Sequence, residues 1–277
     1  MHAPLRPTAA HEGTGPPVST AAIPAPLASP ALYAPGPAEH PPVDRAEVLC
    51  YLGYNGQQLD DALAQRIEAT IARVQRELAP RGVRRVFAVD ATGLDAAGKP
   101  CIRLAGSAVV LQGRDVYRHL KDASFCVLMA CTLGAESERM LRMLSSQHPT
   151  EAVVFDAACS AYAEAAVRAM DAQARQAAAA CNLRSNWRFS CGYGDCPLAA
   201  QGPILAALDA TRRIGLTVTQ TDLLLPSKSV TALIGLFEGD VVGAADARPT
   251  CGTCRIRTGC AFRARGTTCY GGPATDD

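Results

Sequence analysis

The sequence feature that most narrows the possible folds is a long alanine-rich stretch in the second half of the chain. We predict one helix over residues 150–180, with Thr150 as its N-cap and Glu151 in its first turn. Alanine side chains are small, so this helix can lie close against a neighbouring element through one apolar face, formed by Val154, Ala158, Ala161 and Ala165. Residues 125–131 are a continuous apolar run, which is typical of a buried strand.

The rest of the chain mixes helix and strand patterns without strict alternation. Apolar residues at helical spacing predict a helix over 59–78, and Gly82 is expected near its end. Further strands are predicted at 83–90, 101–112, 216–225 and 229–237, and further helices at 115–120, 135–145 and 199–213. This pattern predicts an α+β fold.

Composition divides the chain into three parts. Residues 1–42 contain 11 of the 19 prolines and few large apolar side chains, so we predict a disordered extension without chemistry. Residues 43–246 are expected to form one folded domain, since a chain of 277 residues can bury a full core. Residues 247–277 form a cysteine-rich tail.

Charge and hydropathy argue against several classes of function. The net charge of +1 gives no reason to expect binding to nucleic acid or to an anionic membrane. No stretch reaches the roughly 20 apolar residues needed to span a bilayer, and residues 1–42 lack the pattern of a secretion signal. We therefore expect a cytoplasmic protein, whose 12 cysteines are buried small side chains, metal ligands or redox groups rather than disulfides.

The most unusual loop lies within residues 184–203. Arg184 and Arg188 offer planar donor forks that suit a carboxylate, and Gly192 and Gly194 allow the backbone to approach a ligand closely. Tyr193 adds a flat ring with a polar tip. These residues suit an amino-acid-like small molecule that carries an aromatic group. The alternative is a tight structural turn, with Arg188 on the surface and Tyr193 in the core.

The spacing within this loop resembles that of a known family. The pattern Arg188-x-x-x-Gly192-Tyr193-x-x-x-Pro197, with the small Ser190 inside it, is similar to the S-adenosylmethionine-binding signature of the activation domain of cobalamin-dependent methionine synthase. Short standalone relatives of that domain are similar at further stretches, in matching order: residues 130–134, 156–161, 201 and 225–230.

The resemblance spans about residues 47–237 and implies a C-shaped α+β domain built on a twisted antiparallel sheet flanked by helices. It implies that Arg188 holds the carboxylate of the methyl donor and that the backbone at Ser190 contacts its adenosine or amino-acid part. Gly192 would allow close approach, and Tyr193 would lie near the sulfonium. Full-length enzymes of the family also use an acidic residue near the start of the domain, and no residue here is matched to it.

The function implied by the resemblance is the rescue of a spent cobalamin by methyl transfer from S-adenosylmethionine. Two partners are implied, namely the cobalamin-binding domain of methionine synthase and a reductant such as flavodoxin or ferredoxin. The part played by this chain would be to hold the methyl carbon in line with cobalt, which requires no general base.

Four cysteines within nineteen residues of the tail indicate a metal site. Thiolates at such spacing can reach one metal from tight turns, so zinc or an iron–sulfur cluster is predicted on Cys251, Cys254, Cys260 and Cys269. A redox-active or merely reduced group of thiols and a disordered tail are the alternatives. If the tail is the working part, the chain is instead a metal-bearing electron-transfer or docking protein for another corrinoid methyltransferase.

Four other residues have more than one interpretation. Cys191 and Cys196, inside the loop, are either redox-active or packed thiols. His119 is expected to be a packed or exposed side chain rather than a ligand. Lys228 either binds an anion or is a solvated lysine in a turn.

Overall fold

A computed structural model describes residues 22–54 and 57–239, together with Thr258, Arg263 and Gly266. Within these ranges the chain forms seven α-helices: α1 (Arg45–Tyr51), α2 (Asp61–Glu77), α3 (Arg114–Leu120), α4 (Ala135–Gln147), α5 (Pro149–Ala179), α6 (Gln201–Leu208) and α7 (Ala210–Ile214). It also forms nine strands: β1 (Ala31–Tyr33), β2 (Arg81–Asp90), β3 (Ile102–Leu104), β4 (Val110–Leu111), β5 (Phe125–Thr132), β6 (Leu183–Ser185), β7 (Thr217–Val218), β8 (Leu224–Leu225) and β9 (Ser229–Glu238). None of the helices described combines the length and the apolar character that a membrane crossing requires.

Seven of the strands form one sheet in which every pairing is antiparallel. The strand order is β4-β3-β2-β5-β9-β6, and β1 pairs with the first part of β2. The central strand is β5, which pairs along its length with both β2 and β9 and has all its residues buried. The buried strand predicted at 125–131 is therefore confirmed. The antiparallel sheet and its flanking helices confirm the α+β prediction.

Helices cover both faces of this sheet. Successive side chains of a strand point to opposite faces, so the fully buried β5 needs a covering layer on each side. On one side, Phe125, Val127 and Met129 of β5 belong to the same apolar cluster as residues of α5. On the other side, Cys126 and Leu128 belong to a cluster that includes α3, α6 and α7. The sheet is thus the middle of three layers.

Small side chains let α5 lie low on the sheet. Of its 15 buried residues, nine are alanines, in agreement with the packing predicted from the sequence. A Cβ atom at Gly82 would lie 2.2 Å from the sulfur of Met170, so Gly82 is needed inside β2 and the prediction that it ends a helix is wrong. The predicted N-cap at Thr150 is also wrong, because the helix begins at Pro149 with His148 as its N-cap.

Three predicted elements are divided in the structure. Residues 101–112 form the two short strands β3 and β4, and residues 216–225 form the hairpin of β7 and β8. The helix predicted at 199–213 is split into a 3₁₀ turn (Leu198–Ala200), α6 and α7. The break between α6 and α7 falls at Asp209, whose φ of 52° is left-handed and cannot continue a right-handed helix.

The prediction of disorder for residues 1–42 is wrong for residues 22–42. Strand β1 pairs with β2, placing Ala31 opposite Arg84 and Tyr33 opposite Gly82. Leu27 and Tyr33 are buried in the cluster that includes α5. Backbone pairing and two large side chains therefore order a proline-rich segment that composition alone assigns to disorder. Residues 1–21 lie outside the described residues, as do 240–257 and most of the tail beyond them.

Substitution of Tyr33 tests whether β1 is packed against the rest of the protein or only loosely attached to it. Tyr33 is 5% exposed, so Tyr33→Ala is expected to destabilise the protein by about 3 kcal/mol through lost burial and a cavity. Its neighbour Leu32 is 59% exposed, so Leu32→Ala is the matched control and should change stability by less than about 0.5 kcal/mol. Urea denaturation measures both, and equal effects of the two substitutions would contradict the packing of β1 described above.

Candidate functional site

A polar stripe runs along one side of the otherwise apolar α5. Its members Asp156, Ser160, Glu164 and Arg168 are each four residues apart, so they lie on one face of the helix and extend over about 18 Å. Most of the remaining residues in this part of α5 are buried alanines and other apolar side chains. The stripe is called the α5 polar stripe below.

Three separate segments of the chain contact the α5 polar stripe. Lys228, which precedes β9, pairs with Asp156 at 2.7 Å and donates to the hydroxyl of Ser160 at 2.9 Å. Arg188 pairs with Glu164 at 2.7 Å. Glu47 of α1 accepts from Arg168, with a shortest distance of 2.6 Å. The anion that meets Lys228 is therefore an aspartate of its own chain, and the side chain of Lys228 is only 14% exposed.

Arg188 is the most enclosed cation of this group after Lys228. Its side chain is 21% exposed and that of Glu164 is 27% exposed, so the pair is largely removed from water. The guanidinium donates through Nη2 to Glu164, whereas Nη1 is buried and has no partner among the described residues. Burial raises the pKa of the underlying Cys131 thiol to about 12, with Glu164 raising it further and Arg188 opposing that effect.

The backbone between β6 and the loop explains why Arg188 faces α5. Phe189 exchanges two backbone hydrogen bonds with Leu233 of β9, at 2.9 and 2.8 Å. Trp187 and Phe189 both pack on the ring of His119, on the other side of the sheet. Because side chains alternate along extended backbone, Arg188 between them points towards the opposite face, where α5 lies.

Asn186 fixes this segment to two elements at once. Its Oδ1 accepts from the backbone N–H of Gly235 in β9 at 2.7 Å, and its Nδ2 donates to the carbonyl of His119 at 2.7 Å. The side chain is fully buried, and these two hydrogen bonds provide partners for its carbonyl oxygen and its amide nitrogen in place of water. Asn186 therefore holds the start of the loop against the end of α3.

The predicted ligand loop is a tight turn with an exposed tip. The N–H of Tyr193 donates to the carbonyl of Ser190 at 3.2 Å. The N–H of Gly192 donates to the carbonyl of Cys196 at 2.9 Å. Gly192 has a φ of +89°, which favours glycine. Tyr193 is 66% exposed, and Pro197 lies at the far end of the turn as N-cap of the 3₁₀ helix.

A carboxylate in the turn anchors it to α3. Asp195 accepts from the backbone N–H groups of Arg114 and Asp115, at 2.7 and 2.9 Å, at the start of that helix. The close approach depends on glycines, since a Cβ at Gly113 would lie 2.7 Å from Asp195 and one at Gly194 would lie 2.3 Å from Asp115. The turn is thus held in place from the side opposite to Arg188.

Tyr51 of α1 completes the group of polar side chains. Desolvation raises the pKa of its phenol, and the neighbouring Glu47, Glu164 and Tyr193 raise it further. The Glu47–Arg168 pair joins α1 to the α5 polar stripe, and Tyr193 at the tip of the loop is near enough to Tyr51 to act on it electrostatically. Two carboxylates, a paired guanidinium and two exposed aromatic rings therefore converge on one region of the surface.

The loop is a tight turn, as the structural alternative expects, but both side-chain positions given by that alternative are wrong. Arg188 is mostly buried, whereas Tyr193 is mostly exposed. The loop prediction missed Glu47, Glu164 and Arg168, although the four-residue spacing of polar side chains on an alanine-rich helix was a usable signal for the last two. The structure places Arg188 against Glu164 of α5, whereas Tyr193, five residues further along the loop, acts electrostatically on Tyr51 of α1.

The predicted metal site is not described. The ligands Cys251, Cys254, Cys260 and Cys269 lie outside the described residues and stay a prediction. In the part of the chain that is described, no group of three or more histidines, cysteines or carboxylates is arranged to hold a metal ion. His119 is packed, as expected, between Trp187 and Phe189.

Comparison with known proteins gives a likeness of fold. No protein-family model matches the sequence, and no curated protein matches it. A solved structure, the crystal structure of the MetH reactivation domain bound to AdoHcy, aligns with a TM-score of 0.60. The alignment covers 88% of this chain and 87% of that chain at 15% sequence identity, so the likeness establishes the fold.

The burial of His119 makes the stability of the folded protein sensitive to acid. Burial lowers the pKa of His119 to about 3 from an ordinary value near 6.5. As the pH falls below about 6.5, His119 becomes protonated in the unfolded chain but stays neutral in the folded chain. The folded state therefore loses stability until the pH reaches about 3. By pH 5 this loss is about 2 kcal/mol.

Denaturation at pH 7 and pH 5 tests this expectation. The loss of stability between the two pH values should be smaller by about 2 kcal/mol in His119→Gln than in the wild type. The exposed His148 supplies the control, and His148→Gln should lose as much stability as the wild type. An unchanged pH dependence in His119→Gln would mean that His119 does not stay neutral in the fold.

Proposed function

We propose that this chain binds S-adenosylmethionine between the loop at 188–197 and the α5 polar stripe. The proposal rests chiefly on the Arg188–Glu164 pair, in which one guanidinium nitrogen is buried and has no partner among the described residues. A buried donor without a partner is costly, and a ligand carboxylate would remove that cost. The solved structure that resembles this fold is described as bound to AdoHcy, which is the demethylated form of the same donor.

The chemistry of the side chains around Arg188 matches the parts of the donor. An amino-acid end needs a cation for its carboxylate and an anion for its ammonium, and Arg188 and Glu164 offer these side by side. The exposed rings of Tyr51 and Tyr193 offer flat surfaces near the sulfonium, where cation–π attraction is favourable. Glu47 or Glu164 is the acidic donor contact that the sequence left unmatched.

We further propose that the bound donor serves the reductive reactivation of a cobalamin-dependent methionine synthase. The cobalamin would be carried by the cobalamin-binding domain of that enzyme and would supply the cobalt that accepts the methyl group. Residues of this chain would hold the sulfonium and orient its methyl group towards the partner, without a proton transfer. A flavodoxin or ferredoxin-type protein is the proposed reductant.

Titration calorimetry with S-adenosylmethionine tests the binding site. Arg188→Ala should weaken binding by roughly 10- to 100-fold, because a hydrogen bond to a charged group contributes roughly 1.5–3 kcal/mol. Arg188→Lys keeps a cation beside Glu164 but removes the planar fork, so its affinity should fall between those of the wild type and Arg188→Ala. Arg184→Ala is the matched control, since Arg184 is the other arginine of this segment, is exposed, and is not part of the proposed site on Glu164.

Circular dichroism should show a folded protein in each variant before affinities are compared. Wild-type affinity in a folded Arg188→Ala protein would remove the proposed site. Equal losses in Arg184→Ala and Arg188→Ala would point to general electrostatic attraction rather than to a carboxylate site.

The partner reaction has its own test. The full chain is added to a methionine synthase that lacks a reactivation domain and holds its cobalamin in the inactive, one-electron-oxidised form. With reduced flavodoxin and S-adenosylmethionine, absorbance should change to that of methylcobalamin, and Arg188→Ala should slow the change. Binding of S-adenosylmethionine without any such change would leave the donor site standing and remove the reactivation function.

A further inference from the structure

Two thiols in the loop lie opposite each other across its turn. The sulfur atoms of Cys191 and Cys196 are 3.9 Å apart, and the thiol of Cys196 donates to the sulfur of Cys191. Both cysteines are free. Neither has a role in the proposed binding of S-adenosylmethionine, so their juxtaposition needs a separate explanation.

The two thiols differ in access and in acidity. Cys191 is partly accessible, whereas Cys196 is 3% exposed. The hydrogen bond from Cys196 lowers the pKa of Cys191, because it stabilises a thiolate there. The same hydrogen bond and burial raise the pKa of Cys196. Since the thiolate is the nucleophile in thiol chemistry, Cys191 is the attacking sulfur and Cys196 the sulfur that completes the reaction.

The turn is built so that the sulfurs can meet. A disulfide requires a separation of about 2.05 Å, so the two sulfurs must approach by roughly 1.9 Å in total. The backbone ends are already tied by the hydrogen bond from the Gly192 N–H to the Cys196 carbonyl at 2.9 Å. Gly192 and Gly194 both have positive φ, which lets the chain reverse direction between the two cysteines so that their sulfurs face each other.

We propose that Cys191 and Cys196 are a reversible dithiol–disulfide site. With a small disulfide such as oxidised glutathione as the oxidant, the Cys191 thiolate attacks one sulfur and expels one glutathione thiolate. Cys196, losing its proton, then attacks the Cys191 sulfur of the mixed disulfide and expels the second. The two protein thiols are oxidised by two electrons, and one glutathione disulfide is reduced to two glutathione molecules.

Oxidation at this site acts on the residues between the two sulfurs. Gly192 and Tyr193 lie in the turn that the disulfide would close, and Tyr193 is near enough to Tyr51 to act on it electrostatically. This consequence, unlike the disulfide itself, rests on the proposed function: the oxidised protein binds S-adenosylmethionine more weakly than the reduced protein, and a thiol reductant restores the affinity.

Peptide mass spectrometry of the full chain, after treatment with oxidised glutathione, tests the disulfide. The sequence has no lysine or arginine between Arg188 and Arg212, so one tryptic peptide carries both sulfurs and separates them from the cysteines of the tail. This peptide should lose the mass of two hydrogen atoms and regain it with dithiothreitol. The partly accessible Cys50 and Cys181 each lie in a tryptic peptide without a second cysteine, so they are internal controls for general thiol reactivity and should react with glutathione more slowly than Cys191.

Single substitutions identify the attacking sulfur. Cys196→Ser should stop the reaction at a mixed disulfide between glutathione and Cys191. Cys191→Ser should leave Cys196 unmodified, because Cys196 is buried. Both variants keep a small polar side chain, and the fluorescence of Trp187, the single tryptophan of the chain, checks the fold next to the loop.

Three outcomes would overturn the inference. The peptide could stay a dithiol while Cys50 and Cys181 are modified, Cys196 could react as fast as Cys191, or Cys191 could pair with a tail cysteine. Donor affinity is measured separately in reduced and oxidised protein. Failure of the reduced protein to bind S-adenosylmethionine contradicts the proposed function alone, whereas unchanged affinity after complete oxidation contradicts the predicted effect of the disulfide.

Discussion

The ion pair of Arg188 and Glu164 connects the loop to the long helix α5, and the candidate site depends on it. Both side chains are largely buried, and an unpaired charge in a buried position would be strongly unfavourable. The pair therefore holds the loop in one position and also presents adjacent opposite charges to a zwitterionic ligand. Two further ion pairs flank this one along α5, namely Lys228–Asp156 and Arg168–Glu47. Three segments that are distant in sequence are therefore bound to the same helix.

This arrangement follows from how α5 packs. Alanines allow the helix to lie close to the sheet, and Gly82 of β2 makes room for Met170. In the α5 polar stripe, Asp156, Glu164 and Arg168 are each paired by a residue of another element. The opposite face of the sheet supplies rigidity, since Trp187, Phe189 and His119 pack there and fix the backbone on either side of Arg188.

Much of the fold could be read from the sequence, and the errors have physical causes. The continuous apolar run of β5 and the periodicity of α2 and α5 are strong local signals, and the structure contains all three elements. Pairing of β1 with β2 has no local signal, because it depends on residues about fifty positions away. The loop could be singled out because arginine, glycine and tyrosine lie close together in sequence. The polar spacing on α5 marks Glu164, but no local signal links it to the loop, because only the fold brings Arg188 and Glu164 together.

A crystal structure of the full chain with S-adenosylhomocysteine would test the central claim most directly. The account predicts density beside Arg188, with the ligand carboxylate on its guanidinium and the ligand ammonium facing Glu164 or Glu47. Density only in the cavity between α2 and the start of α5, lined by Arg66, Arg73 and Glu151 among others, would contradict it. So would an unchanged Arg188–Glu164 pair with no density beside it at saturating ligand.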